Sequence, residues 1–128
     1  MPVSWRLEGG VVFLESDERA TFDEWKDAVE AALPVARTEH AEAVVHDLRR
    51  MARVPSLREA NARVQLLLRQ SRLFGIKRWA SIVSGPDNLG MGQTAEMLGA
   101  GELVEFRVFE DAADAEAWAR GGSLTDVP

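Results

Sequence analysis

The sequence predicts an α/β fold: a mostly parallel five-stranded sheet with an antiparallel N-terminal hairpin strand and about four helices. Three observations carry this expectation. Strand-type runs alternate with amphipathic helical stripes along most of the 128 residues. A Gly9-Gly10 pair separates the first two runs. Two segments with capping-box spacing, Thr21-Phe22-Asp23-Glu24 and Ser56-Leu57-Arg58-Glu59, mark helix starts. Strands joined through helices make right-handed crossovers and run parallel, whereas a two-residue turn forces its strands antiparallel.

Taken in order, residues 3–8 alternate apolar and polar. Val11-Val12-Phe13-Leu14 is apolar on consecutive positions, as in a strand buried on both faces. The two glycines between them can both take positive φ, which a tight hairpin turn requires. Phe22, Trp25, Val29, Ala32 and Leu33 form one helical stripe. Pro34 is expected to end or kink that helix, since it lacks an N–H and crowds the preceding turn. Residues 43–48, Ala-Val-Val-His-Asp-Leu, read as a buried strand. Ser56 opens the longest helix, with Leu57, Ala60, Val64, Leu67, Leu68 and Ser71 turned inward and an end at Phe74 before Gly75. Residues 79–84 form a strand stopped by Gly85-Pro86. The segment 85–92, rich in glycine, reads as a connecting loop, followed by a short helix over 94–98 that Gly99 stops. Residues 105–109 alternate like a strand near a sheet edge. Asp111 then caps a last helix with Ala115, Trp118 and Ala119 inward. The order is β-β-α-β-α-β-α-β-α, in one domain over residues 1–120 with 121–128 as a flexible tail. Trp5, Trp25, Trp79 and Trp118 are all expected to pack in the core.

Composition narrows the functional classes. The chain has no cysteine, which excludes disulfides, iron–sulfur clusters, thiolate zinc sites and cysteine nucleophiles. A 14.1 kDa chain with 46% hydrophobic and 28% charged residues is globular, and it buries about two-thirds of its unfolded surface. Its start lacks the basic and apolar regions of a signal peptide, and no apolar run approaches the roughly 20 residues of a membrane helix. A cytoplasmic location without an integral membrane segment is therefore expected. The net charge of −6 argues against a nucleic-acid partner.

That charge is unevenly spread. Residues 49–78 carry nine basic side chains and only Glu59 as an acid, a +8 block between two flanks of −7. Pairing with acids on neighbouring elements is one explanation; a site for an anionic partner is the other. On the long helix, Arg58, Arg69 and Arg72 fall opposite Leu57, Val64 and Leu68. Arg49, Arg50 and Arg53 lie after a strand's C-terminal end, where parallel α/β sheets bind ligands. The helix N-terminus at Ser56 would add positive potential there. These four residues and Arg58 form the first candidate binding set. Gly85, Asp87, Asn88, Gly90 and Met91 form the second: a glycine-rich backbone can approach an anion, and Leu89, Met91 and Met97 can line an apolar pocket. The segment has neither Walker nor dinucleotide spacing. His46 and Asp47, adjacent on a strand, point to opposite faces and form no dyad with each other. His40 falls in a loop. No catalytic set, metal set or cofactor motif can be assembled, so a non-enzymatic role is expected.

Three stretches resemble the SpoIIAA-like branch of the STAS superfamily: the apolar strand 43–48 ending in Asp47-Leu48, the long helix from Ser56, and Arg107-Val108-Phe109-Glu110-Asp111 followed by Ala115-Glu116-Ala117-Trp118. Together they span most of residues 3–120. The resemblance implies a small domain that works by binding a partner protein, or in some members a small molecule. It also implies a phosphoacceptor serine at the start of the long helix, near Ser56. The family's Asp-Ser-Ser/Thr-Gly motif is replaced here by Pro55-Ser56-Leu57-Arg58, without the Asp or the Gly. The leading expectation is thus a regulatory interaction domain binding through its Arg-rich loop and helix, with an acidic protein or a second copy (a homodimer) as partner. The alternative is a carrier or sensor of a small anionic or amphipathic ligand, conceivable by analogy with α/β lipid-transfer folds of the CRAL-TRIO kind.

Overall fold

A computed structural model describes residues 2–51, 53–99 and 104–121. The sheet runs β1 (Val3–Glu8), β2 (Val11–Ser16), β3 (Ala43–Asp47), β4 (Arg78–Ile82) and β5 (Glu105–Phe109), in that spatial order. β1 pairs antiparallel with β2 through Gly9 and Gly10, at φ 57° and 81°, and the remaining pairs are parallel. β5 is an edge strand, as its alternation predicts. The helices are α1 (Phe22–Thr38), α2 (Leu57–Phe74), α3 (Pro86–Leu98) and α4 (Ala112–Ala119).

Each parallel strand is added on the same side of the last. Right-handed crossovers repeated in one direction therefore place α1, α2 and α3 on one face of the sheet. α4 follows the last strand and packs on the other face, over β3, β4 and β5. The larger core lies under the three helices, where Trp25, Leu33, Val44, Leu68 and Trp79 are almost wholly buried. The smaller core joins Ile82 and Phe109 to Trp118 under α4. Asp111 caps α4 by accepting from the Asp114 N–H at 2.9 Å, as expected. Gly75 ends α2 in the left-handed conformation, φ 77°. The expected tail begins at Gly121, and residues 122–128 lie outside the described residues.

Several sequence expectations are corrected. Pro34 does not end α1, which continues through it to Thr38. The side chains on both sides of it, Leu33 and Ala36, are buried, and this packing outweighs one lost backbone hydrogen bond. The segment 85–92 is not a loop: α3 begins at Pro86, whose fixed φ suits a first helical position, and passes through Gly90 and Gly92. A Cβ at Gly92 would lie 2.5 Å from Val108 Cγ2, so glycine is what lets α3 sit this close to β5. Leu57 is 57% exposed rather than inward, and Leu66 is buried in its stead. Trp5, on the edge strand β1, is 37% exposed, while the other three tryptophans are buried.

Candidate functional site

Much of the basic block is taken up by ion pairs, some local and some long-range. Arg49 makes a bidentate contact with Asp47, at 3.0 and 2.7 Å. Arg50 reaches Glu18 at 2.9 Å and Glu15 at 3.9 Å. Arg53 and Arg63 both bind Glu59 Oε2 at 3.1 Å, and Lys77 binds Glu42 at 2.6 Å. Arg78 donates to the Trp118 carbonyl at 2.6 Å. Arg58 is exposed on the first turn of α2. Ser56 is the N-cap, accepting from the Glu59 N–H at 3.1 Å. Its capping box is only half formed, because the Glu59 carboxylate turns to the two arginines instead of reaching back to the cap; the box at Thr21 is complete.

The second candidate set fares differently. Asn88 and Met91 line a cavity of about 80 Å³ between the sheet and helices α2 and α3. Gly85, Asp87 and Gly90 do not line it; they are exposed at the start of α3. The floor is built from Trp25, His46, Val64, Leu67, Trp79 and Ala95, all buried. The rim is made of the half-buried Leu48, Met51, Pro55, Asn88 and Met91. The cavity thus opens at the C-terminal ends of β3 and β4, the position that parallel sheets favour, and the loop after β3 contributes through Leu48, Met51 and Pro55 rather than through its arginines.

Polar groups around this cavity are few and mostly donors. Arg63 reaches it from α2 with its side chain only 12% exposed. Its Cζ lies 5.0 Å from the centroid of Trp25 and 5.8 Å from that of Phe22, a cation–π arrangement. Trp25 and Trp79 meet edge to face at 6.3 Å. Among the described residues, Arg63 Nη2, Trp25 Nε1 and Trp79 Nε1 are buried and find no hydrogen-bond acceptor. Burial draws the Arg63 pKa below its ordinary value, against the opposing hydrogen bond and charge of Glu59. A guanidinium still stays charged.

His46 lies parallel to Trp25, 6.1 Å between centroids, and meets Ser16 Oγ through Nε2 at 2.7 Å. Burial, reinforced by the nearby positive charge of Arg63, lowers its pKa to about 3, so the imidazole is neutral at physiological pH; Asp47 acts weakly in the other direction. Asp47 itself sits on the opposite face, in an open groove lined by Arg6, Phe13, Ile82 and Ala112. Its own burial acts to raise its pKa, but the hydrogen bonds and charge of Arg49 outweigh that and hold it below the ordinary carboxylate value. The two neighbours form no dyad, as strand alternation predicts. His40 lies in the turn after α1 at φ 59°.

Arg63 was not in either candidate set, although it stands in the basic block. Its signal is visible at sequence level only in combination: it lies four residues after Glu59 and one residue before Val64 on the inward stripe of α2.

These features place the chain in a class of small α/β domains with a helix-covered cavity at the strand C-termini. More particularly, it has the SpoIIAA-like fold. A solved structure, an uncharacterized protein of the DUF3478 family with a SpoIIAA-like fold from Shewanella loihica PV-4, superposes over 91% of each chain with a TM-score of 0.56 and 19% identity. No family model and no curated protein matches the sequence. Among the described residues, no helix is long and apolar enough to cross a membrane.

Proposed function

We propose that this domain binds a small, mainly apolar molecule in the cavity under α3 and does not transform it. The observation that carries this reading is the cavity itself: about 80 Å³, floored by aromatic and aliphatic side chains and opening at the sheet's C-terminal end. Close-packed interiors hold few voids larger than a water molecule. The reading without chemistry is supported by the groups at the cavity. The one histidine on the floor is neutral and bonded to Ser16, and Asp47 faces the other side of the sheet.

The test is thermal stabilisation and intrinsic tryptophan fluorescence with a panel of small apolar molecules, alongside native mass spectrometry of protein from its source. Binding should raise Tm in the native chain and be lost in Ala95→Leu, whose added carbons enter the cavity from α3. A clean unliganded mass together with no response across the panel would sink the reading.

The regulatory reading keeps one specific support. Val54 and Leu57 are 41% and 57% exposed beside Arg58, at the start of α2, close to the rim residue Pro55. An apolar patch flanked by an arginine suits an acidic amphipathic partner. Pull-down with Leu57→Asp and Arg58→Glu addresses it: unchanged capture would remove this surface from consideration.

A further inference from the structure

We infer that the ligand of this cavity is a monocarboxylate, held by its carboxylate at Arg63 and the indole N–H groups of Trp25 and Trp79, with its apolar body directed toward the rim. This rests on the cavity being a binding site.

Two independent features define the head group. The first is donor supply. Arg63 Nη2, Trp25 Nε1 and Trp79 Nε1 are buried N–H donors on side chains that line one cavity, and none has an acceptor among the described residues. Buried donors are nearly always satisfied, and an unmade bond costs about 1–3 kcal/mol each. The three side chains form one cluster, with Arg63 5.0 Å from the Trp25 centroid and Trp25 6.3 Å from that of Trp79. What is missing is an acceptor. A carboxylate is acceptor-only and offers about four lone-pair sites.

The second feature is charge. Glu59 is shared by Arg53 and Arg63, so this cluster keeps one positive charge in excess. The imidazole of His46 is neutral and adds nothing. One surplus charge matches a monoanion. A phosphate ester would bring further charge and more oxygens than these donors can serve in a cavity whose remaining floor is apolar. A neutral apolar molecule would leave all three donors unmet. A cation would meet a guanidinium. The half-buried Leu48, Met51 and Met91 at the rim give the body of the ligand an apolar path outward.

The experiment compares three six-carbon probes on the intact protein at one pH and ionic strength: hexanoate, 1-hexanol and hexylamine, read by tryptophan fluorescence and calorimetry. Hexanoate is expected to bind at least tenfold more tightly than 1-hexanol, and hexylamine no better than 1-hexanol. The preference for the anion would stand against the net charge of −6, which attracts hexylamine non-specifically. Arg63→Gln is expected to bring hexanoate to within about twofold of 1-hexanol. Equal binding of hexanoate and 1-hexanol by the native chain overturns the carboxylate inference and leaves the cavity reading standing. No binding of any probe, or binding unaffected by Ala95→Leu, overturns the cavity reading and this inference with it. The native-chain comparison decides the matter even if Arg63→Gln fails to fold.

Discussion

Ser16 Oγ and His46 Nε2 lie 2.7 Å apart across neighbouring strands, and both residues are at most 2% exposed. Parallel pairing sets Leu14 opposite His46, so Ser16, two residues on, emerges on the same face. The pair is a buried, neutral polar contact in a mainly apolar layer. It makes stability depend on pH. Unfolded, the imidazole takes up a proton below about pH 6.5. Folded, burial and Arg63 hold it neutral down to about pH 3. Its contribution is therefore complete above 6.5 and is lost as the pH falls from there toward 3, at up to about 1.4 kcal/mol per unit. Urea denaturation between pH 8 and 5 should show this slope, and His46→Gln should flatten it. The carboxylates of Asp47 and Glu59, both held below their ordinary values, are charged in folded and unfolded chains alike over most of that interval. An unchanged slope in the variant would refute the assignment to His46.

Glu59 supports the cavity from behind. Glu59→Ala removes the only anion paired with Arg63 among the described residues and leaves a mostly buried guanidinium uncompensated. The expected loss is about 2–3 kcal/mol in chemical denaturation. Arg53→Ala breaks the exposed arm of the same cluster and should cost under about 1 kcal/mol, since Arg53 itself is half exposed to water. Similar costs for the two variants would contradict this division.

Gly92 sets the distance between α3 and β5. Gly92→Ala should destabilise the chain by about 1–3 kcal/mol, because its Cβ would stand 2.5 Å from Val108 Cγ2. Val108→Ala removes the obstructing methyls. The double variant should therefore cost less than the sum of the singles, a coupling that a thermodynamic cycle measures. Strict additivity would show that the contact is not what demands glycine.

Pro34 is a local cost tolerated by tertiary packing. Pro34→Ala restores a backbone donor within α1, at an exposed position. Proline in a helix interior costs about 3 kcal/mol, and the stiffening of the unfolded chain that proline gives offsets up to about 1 kcal/mol. A net gain of about 1–2 kcal/mol is expected from thermal and urea unfolding. A loss would mean that the helix bends to suit the proline.

Much of the architecture is readable from local chemistry. The caps at Thr21, Ser56 and Asp111, the glycine turn at 9–10 and the end of α2 at Gly75 are all interactions within a few residues of the chain, and each stands where its motif puts it. The first part of α3, before Thr94, was not readable in this way. Its glycines and proline favour a loop by propensity, and it is helical because Ala95 and Gly92 pack against the body while Glu96 accepts from the Val108 N–H at 2.6 Å. The candidate site was half readable. Asn88 and Met91 were in the right segment, but Arg49, Arg50 and Arg53 were drawn from charge clustering along the chain; Arg49 and Arg53 pair with the nearby Asp47 and Glu59, and only Arg50 finds its acids, Glu15 and Glu18, far away in the chain.

The sequence by itself determined the order of elements, the direction of each strand and the apolar stripes that make the two cores, because periodicity, turn chemistry and crossover handedness act locally or by simple rules of connection. Only the tertiary structure decided that Arg50 and Lys77 would meet Glu18 and Glu42, and that Arg63 would turn inward beside two tryptophans from α1 and β4. These outcomes depend on side chains far apart in the chain meeting in space, and for Arg63 on a packed interior where burial strips away water and leaves each donor's want of a partner as a property of the whole fold.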